Sequence, residues 1–182
     1  MLNHIKFIEI LICLQTIYIS SMIPFFITVP FIFKFENNLD FPVTWQIPII
    51  IIISLIFKRG IVLSAFTIYL FLGLFLIPIF KHGGSLGYLL TPNFGYLIGI
   101  YPLIKIIKRL NIKKRINFIN FIKTGTIGIA TLHVTGIAYS FINIIYYRQI
   151  DIFLYNLGYY SLGKIGYHLM MLLPLSLLIK PI

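Results

Sequence analysis

Apolar residues run through this chain in blocks long enough to cross a lipid bilayer, near residues 7–33, 43–57, 61–80, 94–107, 119–147 and 161–180. A spanning helix needs about 20 predominantly apolar residues, and it satisfies its own backbone polar groups where no water is available. Open sheets cannot do this. The blocks therefore predict an all-α, polytopic membrane protein, a bundle of about six transmembrane helices forming one domain over residues 1–182. Composition agrees: 10% of residues are charged and 59% hydrophobic, against about 25% charged in soluble domains. The second and fourth blocks are short for a hydrocarbon layer of about 30 Å, which predicts little tilt, shielding by neighbours or continuation into ordered loops. The run from Ile5 to Phe33 is too long, and too poor in a small-residue cleavage site, for a removable signal peptide, so it is read as the first helix. The single Cys13 excludes an intrachain disulfide and a cysteine metal cluster.

Charge orients the bundle. With a cytoplasmic N-terminus, the inner side collects Lys6, Lys58, Arg59, Lys105, Lys108, Arg109, Lys113, Lys114, Arg115, Lys123 and Lys180, eleven of the fifteen basic residues. Lys34, Lys81, Arg148 and Lys164 remain outside, with Glu36, Asp40 and Asp151. Positive charge is retained on the cytoplasmic side, so both termini are expected there, with the loop at residues 108–117. The net charge of +11 is then mostly topology. The run KIIKRLNIKKR has no soluble domain to present it to nucleic acid, and anionic membrane lipid or a partner's edge suits it better. Glu9 and Lys123 lie near the inner ends of their blocks, where they can snorkel to the interface. Gly95 and Gly99, and Gly136 and Ser140, have the four-residue spacing that lets helices approach closely.

Three local patterns suggest chemistry. GGSLG at 83–87 fits the nucleophile elbow, with Ser85, Asp151 and His168 in the chain order of a hydrolase triad. The elbow needs a strand-to-helix turn on a parallel sheet, which nothing here supplies, although an intramembrane hydrolase needs only Ser and His on facing helices. GYYSLGK at 158–164 fits a phosphate-binding loop except that Ile165 stands where a magnesium-binding hydroxyl belongs, so no ATPase is expected in this chain. His133 and His168 fall inside the fifth and sixth blocks without acidic residues at metal-ligand spacing, and no metal or cofactor is expected. Such buried imidazoles need hydrogen-bond partners, either as links between helices or as the lining of a polar cavity.

The polar segments gather on one side: FPVTWQ before the second helix, the loop carrying Gly83, Gly84 and Gly87 before the fourth, and GYYSLGKIGYH before the sixth. They predict a ligand pocket roofed by outer loops, offering backbone N–H groups and Tyr, Asn, Thr and His side chains to a small polar solute.

PVTWQ at 42–46, KRG at 58–60, YLFLG at 69–73 and GGSLGYLLTPNFGYLIG at 83–99 together resemble the BioY family, the biotin-binding S components of energy-coupling factor (ECF) transporters. The likeness covers residues 42–104 in order and spacing, and TLHVTGIAY extends it into the fifth helix. The resemblance implies a multi-pass protein of a prokaryotic cell membrane. Such a protein captures biotin from outside and docks on a transmembrane T component driven by two cytoplasmic ATPases, consistent with the missing phosphate-binding loop. It nominates Thr44, Gln46, Gly83, Gly84, Gly87, Tyr88, Pro92, Gly95 and Tyr96 as pocket or pocket-shaping residues.

The chain departs from the family pattern at several positions. Thr91, Asn93 and Phe94 stand where the family has glycine, threonine and glycine. Tyr167 and Met170 replace an aspartate and a lysine that are ligand-site candidates in the family. Biotin would then be held by Tyr167 or His168 at the mouth of the sixth helix. Lys164 would meet its carboxylate, and the ureido ring would lie against the backbone around Gly83, Ser85 and Gly87, with Tyr88 and Asn93. His133 is a further candidate lining residue. Ser20 and Ser21 are adjacent rather than four apart, so docking on the T component is expected to use another face of the first helix. Alternatives are an S component for another small vitamin, a scaffold without ligand and the Ser/His hydrolase.

Overall fold

The first helix ends earlier than its composition predicts. In the computed structural model, which describes residues 2–26, 40–80, 83–111, 117–147 and 150–178, helix α1 (Leu2–Met22) gives way to strand β1 (Pro24–Phe26). Pro24 lacks the N–H that would continue the helical ladder. Strand β1 pairs antiparallel with β2 (Asp40–Thr44), matching Pro24 with Thr44 and Phe26 with Asp40 across an irregular register. The Trp45 amide donates to the Ile23 carbonyl at 3.1 Å. The expected helix to Phe33 is thus corrected, and so is the start of the second helix, where a strand occupies 40–44.

The other regular elements among the described residues are helical: α2 (Gln46–Ile56), α3 (Arg59–Phe71) with a π-turn at Leu72–Leu76, a 3-10 turn at Leu86–Leu90, α4 (Pro92–Ile98), α5 (Ile100–Leu110), α6 (Phe118–Tyr147), α7 (Ile150–Asn156), a π-turn at Leu157–Leu162, and α8 (Gly163–Leu178). Gly99 keeps a right-handed helical backbone, so α4 and α5 make one rod. Asn156 and Gly163 do the same, so the last rod starts at Ile150 and not at 161 as the sequence suggested. The described residues therefore form the six expected helical rods. By length and composition Asn3–Met22, Arg59–Leu76 and Phe118–Ile142 can each cross a membrane, whereas Gln46–Ile56 is shorter. Of the charged residues used to orient the bundle, Lys34, Glu36, Lys81, Lys113, Lys114, Arg115, Arg148 and Lys180 lie outside the described residues.

Helix α5 shows how pattern sets packing. Ile100, Leu103, Ile104 and Ile107 recur at helical spacing and are buried, while Lys105 and Arg109 point outward. Lys108 turns to donate to the Leu55 carbonyl at 3.1 Å, supplying a partner and a positive charge at the C-terminal end of α2.

The tightest crossing joins α4 to α6. A Cβ on Gly99 would lie 2.8 Å from the Leu132 carbonyl oxygen; one on Gly136 would strike the Tyr96 ring, and one on Gly95 the Tyr139 side chain. The expected small-residue contact is here, with each rod's glycine receiving the other's bulk.

Helix α1 is attached along one side only, through Cys13, Ile17, Ser20 and Ser21. Ile5, Phe7, Ile8, Ile12 and Ile19 face outward. Ser20 and Ser21 are buried on the attached side and bond back to the Ile17 and Tyr18 carbonyls of their own helix.

Candidate functional site

A cavity of about 120 Å³ lies where the polar segments converge. Strand β2 and the first turn of α2 bring Thr44 and Gln46 to it, and α4 brings Asn93 and Tyr96. Tyr88 enters from the 3-10 turn, and Lys164 and His168 from α8. Each of these was a candidate in the sequence. The ribbon that carries Thr44 is held by Trp45, whose ring meets Phe25 edge-on at 5.6 Å, and by a small cluster of Phe25, Val43 and Met171.

One wall is aromatic. Tyr69, Phe80 and Tyr88 succeed one another with ring centroids 5.5 and 4.7 Å apart. Burial, helped by the neighbouring Tyr69 and Tyr160 phenols, holds the Tyr88 hydroxyl above its ordinary range and keeps it an uncharged donor. The opposite wall is polar and linked. Tyr96 OH lies 2.6 Å from Ser161 Oγ, Ser161 Oγ lies 3.2 Å from His133 Nδ1, and His133 Nε2 lies 3.3 Å from His168 Nδ1. Lys164 lines the cavity, half-buried, with Nζ 4.6 Å from the Tyr160 ring centroid and 5.2 Å from that of Tyr159, close enough for cation–π attraction. Gln46 Nε2 is buried beside the Tyr69 hydroxyl without completing a well-formed hydrogen bond among the described residues, so it is a donor that a ligand can engage.

Other candidates stand elsewhere. Gly83, Gly84, Ser85 and Gly87 are not among the cavity-lining residues. Gly83 takes a left-handed backbone, φ +95°, which only glycine adopts freely. A side chain on Gly84 would strike the Gly73 carbonyl and approach Pro78 Cα to 2.9 Å, so this glycine lets two backbones meet. Ser85 is exposed and makes no hydrogen bond to a histidine among the described residues. His133 sits behind the cavity, reaching it through His168. Tyr167 packs against the Phe25, Val43 and Met171 cluster, and Met170 is exposed, so the cavity face of α8 is the Lys164 and His168 pair, one turn apart.

Sequence reasoning missed Ser21, Tyr69, Phe80 and Tyr160 as lining residues. Tyr69 opens the YLFLG motif and Tyr160 sits in GYYSLGK, so both lay in segments already singled out. The apolar floor of Ile47, Leu97, Ile100 and Leu132 carries no signal that distinguishes it from ordinary core.

The BioY family model matches residues 3–173. Among solved structures, the chain is similar to the S-component for biotin from an ECF-type ABC transporter, with 17% identity, 95% of this chain and 91% of that chain covered, and a TM-score of 0.61. At this identity the likeness establishes the fold. Comparison with curated proteins finds no match. Matched by the family model over nearly its whole length and built on the S-component fold, this multi-pass membrane protein belongs to the BioY family.

Proposed function

We propose that the chain is a substrate-capture subunit of an ECF-type transporter that takes up biotin. It binds biotin from the outer side, with both termini cytoplasmic, and delivers it inward with a transmembrane T component and two cytoplasmic ATPases. The observation that carries this reading, in a BioY-family chain, is a cavity whose described lining joins uncharged donors and acceptors to one lysine. Biotin has the complementary parts: a ureido ring needing both donors and acceptors, and a carboxylate needing a cation or donors. Gln46, Tyr88 and Asn93 suit the ring, and Lys164 suits the carboxylate without burying an unpaired charge. The exposed apolar side of α1 is available to lipid or to the T component.

Calorimetric titration of the purified protein with biotin and with other water-soluble vitamins tests the reading. Saturable 1:1 binding of biotin is expected. Binding of a different vitamin, with none of biotin, would transfer the protein to an S component of that specificity.

A further inference from the structure

The contacts among Tyr96, Ser161, His133 and His168 form an unbroken chain whose ends, Tyr96 and His168, both line the cavity. Ser161, His133 and His168 are only 3, 3 and 6% exposed, so the inner links are shielded from competing water. His168 Nε2 has no partner among the described residues, and its ring faces the cavity. Lys164 stands on the same wall, and no carboxylate lines the cavity, so the arrangement suits uncharged imidazoles.

A neutral imidazole has one donor nitrogen and one acceptor nitrogen, and a serine has one proton, so when Ser161 donates that proton within the chain two self-consistent directions remain. In the first, Tyr96 donates to Ser161, Ser161 donates to His133 Nδ1, and His133 Nε2–H donates to His168 Nδ1. His168 then presents Nε2–H to the cavity while the Tyr96 oxygen is left as an acceptor. In the second, every bond is reversed: His168 presents a bare Nε2 and Tyr96 presents its O–H. Both directions hold the same number of protons and the same charge.

Building on the cavity as the ligand site, we infer that Ser161 donates its proton along this chain, so that His133 and Ser161 are positioning residues that set Tyr96 and His168 in opposite hydrogen-bonding roles. The site thereby selects an uncharged ligand group carrying both a donor and an acceptor, as a cyclic urea or a lactam does. Groups that only accept, or only donate, leave one end of the chain unpaired.

The two directions require His133 and His168 to share a tautomer, Nε2–H in the first and Nδ1–H in the second. ¹⁵N NMR of the histidine-labelled full chain in lipid nanodiscs, with His4→Gln and His82→Gln to clear the spectrum, reads this directly. The expected result is two uncharged rings in the same tautomer, both without ligand and with saturating biotin. Opposite tautomers, or a charged ring, would overturn the inference, and the ligand-free spectrum decides it even if biotin does not bind and the functional reading fails. In the binding arm, Ser161→Ala should weaken biotin about tenfold and Ser161→Thr, which keeps the hydroxyl, should stay within about threefold of wild type. An alanine variant that binds like wild type would equally reject the role of Ser161.

Discussion

His133 Nε2 lies 3.3 Å from His168 Nδ1, a side-chain contact that joins the middle of α6 to α8. Both rings are buried, and His133 also faces Ser161 at 3.2 Å. Replacing His133 by Phe keeps the bulk but leaves His168 Nδ1 without its partner, while Ser161 keeps Tyr96, a loss of about 1–3 kcal/mol. Thermal unfolding in detergent should show a lower midpoint for His133→Phe and a partial recovery in the double variant with His168→Leu, where fewer polar groups are left unpaired. A double variant that is less stable than the single one would mean that the rings contribute packing and not the bond.

The α4–α6 crossing predicts a sharp positional contrast. Gly99→Val would place a Cβ 2.8 Å from a backbone carbonyl oxygen that cannot rotate away, whereas Gly158→Ala meets nothing within 4 Å. Overpacking of this kind costs about 1–3 kcal/mol. Gly99→Val should therefore lower the unfolding midpoint well below that of Gly158→Ala, and equal midpoints would contradict the close approach.

Lys164 is the lysine among the described residues that line the cavity. Charge-assisted hydrogen bonds contribute about 1.5–3 kcal/mol, so Lys164→Met should weaken biotin roughly ten- to hundredfold while leaving a biotin amide nearly unaffected. Calorimetry on the acid and the amide checks this. Equal losses for both would show that Lys164 does not read the carboxylate.

Orientation is open to a direct chemical test at Asn111, the residue after α5. In the proposed orientation, with both termini cytoplasmic, the basic residues that end α5 keep this turn on the cytoplasmic side. In intact cells, Asn111→Cys should resist an impermeant maleimide added outside and react after lysis. Labelling from outside would invert the bundle.

The apolar blocks by themselves determined a membrane bundle of six helical rods, because length and hydropathy are local properties and a bilayer leaves a helix few alternatives. Glycine spacing likewise marked two close-approach faces, since Gly95 and Gly99 share a face of one rod, and Gly136 and Ser140 a face of another, by helical period alone. What the period does not carry is which faces meet. The loop glycines looked like a ligand cradle, yet Gly84 is spent on contact with Gly73, a residue eleven positions earlier that only the folded chain brings near. Tyr69 and Tyr160 became cavity walls for the same reason, and Tyr167 turned away from the cavity that His168, its next neighbour, helps to line. Adjacent helical residues differ by about 100° in direction. Tertiary packing therefore decided the role of each side chain, by setting the rotation of α8 against the β1–β2 ribbon and α6.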